Sequence, residues 1–313
     1  MPQGYLVGAG WCGQAVGRGR EWVHGLIDSM DKSPNPLLAE TRRLLRRSEL
    51  RARKGLGQHF LVDGGVLETI ISAAELGSDD VVVEVGPGLG ILTRELAKRA
   101  GGVVAIELDD KLAALLKKTL ASFNNVTVIN GDVLKIEPVS LLEGRSYKVV
   151  ANLPYYITSP VLRHFLEASA KPQAMVVMVQ KEVAETIAAS PGDMSLLSVS
   201  VQFYGEPKIM SIVPPESFYP APEVSSAILK INVYPKPKVD VDETGFFDTV
   251  RAGFAAPRKQ LANSLAKGLR RDKVEVLPFL KKAKIDSSRR AETLTIEEWA
   301  GLQRALEEKH ADG

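Results

Sequence analysis

The chain has 313 residues, of which 45% are hydrophobic and 25% charged, so it can bury the core of one large domain and a smaller one. Its 40 Lys and Arg residues against 38 Asp and Glu give a net charge of +2, which by itself indicates no nucleic-acid partner. The single cysteine, Cys12, excludes an intramolecular disulfide, and the four histidines form no zinc-ligand pattern. No apolar run approaches the ~20 residues of a membrane span. We therefore expect a cytoplasmic protein without a metal site.

The N-terminal part of the chain divides into two segments. Residues 1–30 are rich in glycine and have neither helical nor strand periodicity, so we predict a disordered extension over residues 1–40, with Met30 as an alternative start. Residues 41–54 then carry seven basic residues against the single acidic Glu49. Such a run is either a solvated helix face or a phosphate-binding arm, and both interpretations stay open.

From residue 66 onward helical and strand patterns alternate. Strands are predicted over Val81–Val85, Val103–Glu107, Val126–Asn130, Lys148–Asn152 and Ala174–Gln180. Helices are predicted over Val66–Leu76, Ile91–Arg99 and Asp109–Ser122. Nearly continuous β-branched runs separated by helices are typical of a parallel sheet that is covered on both faces. The pattern predicts an α/β fold with a doubly wound, mostly parallel, Rossmann-like sheet.

The pattern changes after residue 205. Two strands are predicted between Glu206 and Val233, joined by a proline-rich loop over residues 214–222, as an antiparallel pair at a sheet edge. A linker rich in proline and lysine, residues 234–238, ends this domain. The remaining residues read as short helices, one of them opened by a capping box of Thr295 and Glu298. We thus predict a main domain over residues 41–238 and a helical domain over residues 239–313.

Three consecutive predicted strands end in residues that suit a nucleoside. The first runs into Glu84-Val-Gly86-Pro-Gly88-Leu-Gly90, where glycines let a ligand approach the backbone. The second ends at Glu107, whose carboxylate can accept hydrogen bonds from ribose hydroxyls, and the third is followed by Asp132, which can accept one from an adenine amino group. No phosphate-binding residue is required, which favours S-adenosylmethionine. The spacing GxGxG, in place of GxGxxG, disfavours a nicotinamide or flavin enzyme.

The fourth predicted strand ends in Asn152-Leu-Pro-Tyr155. Adenine N6 is a poor nucleophile because its lone pair is delocalised into the ring. If Asn152 Oδ1 and a backbone carbonyl near Leu153 accept its two N–H bonds, the nitrogen is drawn toward pyramidal geometry and the lone pair is freed. Pro154 stiffens the turn, and Tyr155 offers a face on which an extruded base can stack. We expect methyl transfer governed by positioning, without a strong base.

With these motifs the chain resembles the ribosomal RNA adenine dimethylases, in particular the bacterial KsgA/RsmA type of class I methyltransferase. The resemblance runs from about Lys54 to Thr295. It rests on five motifs, namely Gly57-Gln-His-Phe-Leu61, Glu84-Val-Gly-Pro-Gly88, Asn152-Leu-Pro-Tyr155, Gln180-Lys-Glu-Val-Ala184 and Phe218-Tyr-Pro-Ala-Pro-Glu-Val-Ser-Ser226.

The resemblance implies roles for individual residues. It implies a set of cofactor contacts, namely His59, Leu61, Gly86, Glu107, Asp132 and Asn152. It also places Asn152 between S-adenosylmethionine and the target amine, with Tyr155 and Phe218 on either side of the flipped adenine. We expect the backbone of His59 to matter as much as its ring, because relatives carry Asn or His there.

The resemblance also implies a substrate. Enzymes of this type dimethylate two adjacent adenosines in the 3′-terminal hairpin of 16S rRNA, on an immature small ribosomal subunit. We expect a monomer that does not act on DNA. The helical C-terminal region would dock RNA through basic residues, namely Arg258, Lys259, Lys267, Arg270, Arg271, Lys273, Lys281, Lys282, Lys284, Arg289 and Arg290.

Two alternatives remain open at this point. A 23S rRNA adenine dimethylase that confers macrolide resistance would share the cofactor site and a similar Asn-x-Pro-Tyr motif. A non-catalytic ribosome assembly factor would keep the fold and lose turnover, although the intact Asn152 and Tyr155 argue against it.

Overall fold

The structure, a computed structural model, describes residues 35–53, 55, 57–142 and 144–311. Most of the predicted N-terminal extension, Met30 and Lys54 lie outside these residues. The last part of that extension was predicted wrongly, because helix α1 (Pro36–Arg47) begins within it. Asn35 caps this helix by accepting a hydrogen bond from Leu38 N at 3.0 Å, and Pro36 occupies the first turn, where its missing N–H costs nothing.

Within the described residues, seven strands form the main sheet, in the order β4-β3-β2-β5-β6-β9-β7. Their bounds are β2 (Val81–Val85), β3 (Gly102–Glu107), β4 (Val126–Asn130), β5 (Tyr147–Asn152), β6 (Ala174–Gln180), β7 (Gly205–Val213) and β9 (Ser226–Val233). The first five strands in this order are mutually parallel, whereas β9 runs antiparallel to both β6 and β7. The predicted fold class is therefore confirmed, including the antiparallel pair at one edge.

Helices cover both faces of the sheet. They are α2 (Gly64–Ala74), α3 (Ile91–Ala97), α4 (Asp110–Thr119), α5 (Thr158–Leu166), α6 (Lys181–Ile187) and α7 (Leu196–Gln202). Every residue of the β2 sequence Val-Val-Val-Glu-Val is buried, as expected for a central parallel strand that is packed on both faces. The predicted ends of these elements differ from the observed ones by a few residues.

A short antiparallel ribbon joins two distant motifs. Its strands are β1 (Phe60–Leu61) and β8 (Phe218–Tyr219), and they pair Phe60 with Tyr219 and Leu61 with Phe218. The proline-rich loop between β7 and β9 is therefore fastened to the segment that precedes α2. The ribbon brings two of the predicted functional motifs into direct contact.

The C-terminal region consists of the helices α8 (Glu243–Gly253), α9 (Leu261–Leu269), α10 (Lys273–Lys282) and α11 (Ile296–Ala311). The predicted capping box is present, since Thr295 N donates to Glu298 Oε2 at 2.9 Å and Glu298 N donates to Thr295 Oγ1 at 3.2 Å. These helices share one apolar core with the sheet, and the ring centroids of Phe203 and Phe246 lie 4.6 Å apart across the junction. The predicted boundary near residue 238 falls between β9 and α8.

Candidate active site and cofactor cleft

A cleft of about 240 Å³ opens at the carboxyl ends of β2 and β5. The chain runs from β2 outward to β3 and β4 and then returns to β5 on the other side of β2. The connections after β2 and β5 therefore diverge, and such a switch point is where open α/β sheets bind ligands. The cleft is lined by all but one of the predicted site residues, namely His59, Leu61, Gly86, Glu107, Asp132, Asn152 and Tyr155.

The glycine turn after β2 forms the floor of the cleft. Gly86 has a φ of +67°, a left-handed conformation that L side chains rarely adopt, and a Cβ there would lie 3.6 Å from Pro154 Cδ. Gly88, with a φ of +59°, would place a Cβ 3.2 Å from the Phe60 ring. Glycine therefore suits Gly86 because of its positive φ, and it suits Gly88 because of both its positive φ and the close approach of the Phe60 ring.

Three of the polar side chains that line the cleft are acidic. Glu107 is buried and fixed by two backbone donors, since Oε2 accepts from Gly88 N at 3.0 Å and Oε1 accepts from Asp109 N at 2.9 Å. Asp132 Oδ1 accepts from Leu134 N at 3.1 Å. Among the described residues, no Lys or Arg lines the cleft. Such a lining fits a cationic nucleoside and disfavours a ligand that carries phosphate groups.

Glu84 is a further acidic residue in this lining, and sequence reasoning gave it no role. It lies on β2, is only 1% exposed, and its Oε2 has no hydrogen-bond partner among the described residues. Burial, together with the nearby Glu107 carboxylate, raises the pKa of Glu84 to about 8. Burial likewise raises the pKa of Glu107. Glu84 is therefore neutral at pH 7 when no cation is near it.

Asn152 is oriented by a residue 93 positions away along the chain. Its Nδ2 donates to the backbone carbonyl of His59 at 3.0 Å. Because the amide nitrogen is committed to this carbonyl, Oδ1 is the atom left to accept a hydrogen bond in the cleft. The backbone of His59 thus orients Asn152, and its part in cofactor binding stays a prediction.

The ring of His59 links two further elements. Its Nδ1 bonds to the carbonyl of Pro220 at 2.7 Å, which makes it the protonated nitrogen, and the ring stacks beside Tyr155 with centroids 5.9 Å apart and planes 20° apart. The Tyr155 hydroxyl is held in turn by Ser226 Oγ at 2.7 Å. Tyr155 therefore presents its ring from a fixed position at the cleft.

Phe218 is the one predicted site residue that the structure does not bring to the cleft. Its side chain is 4% exposed and packs in an apolar cluster with Leu61, Val213 and Ile228. The β1–β8 pairing places it there, since Phe218 lies opposite Leu61. Its role as the second face of a base sandwich stays a prediction, and it requires the ring to turn out of this cluster.

Membrane-spanning helices and metal-binding clusters are both absent from the described part of the chain. No helix there has the length and apolarity needed to cross a membrane. No three His, Cys, Asp or Glu side chains of the same residues are grouped as a metal site would require.

Comparison with known proteins identifies the family. The sequence profile of the ribosomal RNA adenine dimethylases matches residues 49–306. The chain belongs to this family. The resemblance seen in the motifs is thus confirmed, and the protein is a ribosomal RNA adenine dimethyltransferase.

Individual relatives agree with this membership. The chain is 54% identical to a ribosomal RNA small subunit methyltransferase A of Dehalococcoides mccartyi, over 85% of this chain and 92% of that protein. A dimethyladenosine transferase from Plasmodium falciparum is similar in structure, with a TM-score of 0.69 at 26% identity over 80% of this chain and 98% of that one. The 23S rRNA methyltransferase ErmE has a TM-score of 0.63 at 30% identity over 79% of this chain and 99% of that one.

Proposed function

We propose that the protein transfers methyl groups from S-adenosylmethionine to N6 of two adjacent adenosines in the 3′-terminal hairpin of 16S rRNA. It does so in the cytoplasm, as a monomer, on an immature small ribosomal subunit. The observation that carries the chemistry is the hydrogen bond from Asn152 Nδ2 to the His59 carbonyl, which leaves Oδ1 facing the cleft. The identity of 54% to a small-subunit methyltransferase supports the choice of RNA.

The lining of the cleft supports the choice of cofactor. S-adenosylmethionine would supply a methyl group on a positively charged sulfonium. Glu107 would accept hydrogen bonds from the ribose hydroxyls with the lone pairs that its two backbone donors leave free, and Asp132 would accept one from the adenine amino group. The glycine turn at Gly86, with His59 and Leu61 opposite, would enclose the remainder.

Asn152 and the turn that follows it would prepare the target amine. Oδ1 of Asn152 accepts one N–H bond of the adenine amino group, and the Leu153 carbonyl accepts the other. The neighbouring Pro154 carbonyl is already taken by Ile157 N at 3.1 Å, which rigidifies the turn. Both acceptors favour a pyramidal nitrogen whose lone pair is free to attack, and they lose nothing when that nitrogen becomes positive.

Tyr155 would hold the extruded adenine in place. Its ring stacks on the extruded adenine, and the negative face of the ring favours the positive charge that grows on N6. The product is an ammonium that is acidic enough to lose its proton to water, so no general base is needed. Phe218 would complete the sandwich after turning out of its apolar cluster.

Exposed basic residues of the C-terminal helices would dock the RNA. Arg258 and Lys259 lie exposed before α9 and form no ion pair with a described residue. Arg289, which the sequence placed in the same basic set, is engaged internally, since its Nη2 donates to Glu298 Oε2 at 2.9 Å and its guanidinium also bonds to Thr293. We therefore remove Arg289 from the proposed docking surface and retain the exposed residues.

The test is to incubate the purified protein with labelled S-adenosylmethionine and either unmethylated small subunits or large-subunit RNA, and to identify the modified nucleosides by mass. Dimethyladenosine confined to the small subunit is the expected result. Label only in large-subunit RNA would identify a resistance-type enzyme. Binding without methylation would identify a non-catalytic assembly factor.

A further inference from the structure

The two carboxylate oxygens of Asp109, which lies between β3 and α4, make different contacts. Its Oδ1 accepts hydrogen bonds from Lys111 N at 3.0 Å and Leu112 N at 3.3 Å, which caps the helix. A cap needs one side-chain oxygen, and Asp110 in the first turn already supplies a charge that complements the helix dipole. The second oxygen of Asp109 is therefore available for an interaction that helix α4 does not require.

That oxygen contacts the segment that leads into the Gly57–Leu61 motif. Asp109 Oδ2 lies 3.2 Å from Arg53 Nη1 and 3.4 Å from Gln58 Nε2. Gln58 also accepts a hydrogen bond from Arg53 N at 2.8 Å, so the three side chains form one network. The side chain of Asp109 is only 4% exposed. A buried carboxylate is costly without a charged partner, and Arg53 is that partner.

The same network touches both sides of the cleft. On one side, Asp109 N donates to Glu107 Oε1 at 2.9 Å and so fixes the carboxylate proposed to bind ribose. On the other side, Gln58 lines the cleft and precedes His59, whose carbonyl orients Asn152. Asp109 thus contacts the carboxylate proposed to bind ribose through its backbone N–H, and the segment that orients Asn152 through its side chain. Binding sites need such support behind the residues that touch the ligand.

We propose that Asp109 and Arg53 are a positioning pair for the cofactor cleft, and that Arg53 acts in cofactor binding rather than in contact with RNA phosphates. Arg43 and Arg47, which lie on α1 in the same basic segment, form no ion pair with Asp109. The basic segment therefore has two functions, and its end at Arg53 belongs to the cleft. This inference rests on the proposed use of the cleft for S-adenosylmethionine.

The experiment compares Arg53→Met, Arg53→Lys, Asp109→Asn and the double variant Arg53→Met/Asp109→Asn with the unmodified protein. Asparagine keeps the helix cap, because it is as good an N-cap as aspartate, but its amide nitrogen faces the donors of Arg53 and Gln58. Arg51→Met is the matched control, since Arg51 is exposed in the same segment and pairs with no described carboxylate. Calorimetry measures the Kd for S-adenosylhomocysteine, and thermal unfolding checks the fold.

We expect Arg53→Met and Asp109→Asn each to raise this Kd roughly fivefold. The double variant should bind S-adenosylhomocysteine as tightly as the single variant that has the higher Kd. Arg53→Lys should recover most of the affinity, and Arg51→Met should bind like the unmodified protein. In turnover assays, Arg53→Met should raise the KM for S-adenosylmethionine and leave kcat at saturating cofactor within about twofold. The salt dependence of RNA binding should be unchanged.

Three results would overturn the pairing. They are unchanged affinity in Arg53→Met, losses that multiply in the double variant, and an equal loss in Arg51→Met. If Asp109→Asn fails to fold, Arg53→Met and its Arg53→Lys rescue still decide the question. If the unmodified protein binds no S-adenosylhomocysteine, the proposed function itself fails. If the unmodified protein binds it and the variants bind equally well, only the positioning pair fails.

Discussion

The buried carboxyl of Glu84 should make the protein less stable as the pH rises. Its pKa is about 8 in the folded protein against an ordinary value of 4.5. Below pH 4.5 both the folded and the unfolded chain hold the proton at this site. Between pH 4.5 and pH 8 the unfolded chain releases it while the folded chain retains it, so the free energy of unfolding falls in this window. Above pH 8 both forms are ionised and the loss is complete.

The size of the effect follows from the pKa values. At about 1.36 kcal/mol per pH unit, the interval from 4.5 to pH 7 corresponds to about 3 kcal/mol. Glutamine has the shape of the neutral acid and does not ionise. Glu84→Gln should therefore equal the unmodified protein in stability near pH 4.5 and exceed it by about 3 kcal/mol at pH 7.

Urea unfolding of the cofactor-free protein at intervals from pH 5 to pH 8 measures this difference. Carboxyls remote from Glu84 titrate alike in the two proteins, so their contributions cancel. Glu182→Gln, at an exposed position of α6, controls for the loss of one acidic side chain. A stability difference between Glu84→Gln and the unmodified protein that stays constant across the range would refute the reasoning, because it would show that Glu84 is ionised to the same extent in both states.

Three further predictions concern the site and the RNA. Asn152→Ala should lower kcat/KM for methylation by about 100-fold or more. Its unfolding temperature should stay close to that of the unmodified protein. Full activity in single-turnover assays would contradict the proposed role of Asn152. Gly88→Ala should cost about 1–3 kcal/mol of stability by urea unfolding, because its φ is +59° and the added Cβ meets the Phe60 ring at 3.2 Å; a neutral effect would show that the turn relaxes. Replacing Arg258 and Lys259 by Glu should reduce the slope of log K for RNA binding against log salt concentration by about two. The Kd for S-adenosylhomocysteine should stay the same. An unchanged slope would exclude both residues from the docking surface.

The sequence alone determined the strands, the fold class and most of the cleft. Runs such as Val81–Val85 show their burial locally, because a strand that is covered on both faces is almost continuously apolar, and Glu84 is the exception within this run. Parallel strands also place their carboxyl ends at one edge, so the end residues of successive strands could be assigned to one site before any contact was known. Gly86, Glu107, Asp132 and Asn152 do line a single cleft.

The tertiary structure decided which side chains meet across long stretches of chain. The contact of Asn152 with His59 spans 93 positions, and the contact of Asp109 with Gln58 spans 51. Neither leaves a periodic signal, because each depends on how separate elements pack. The same is true of Phe218, which the pairing of Leu61 with β8 carries into the core. Local patterns fix what each segment becomes, whereas packing over long sequence separations fixes which residues can act together.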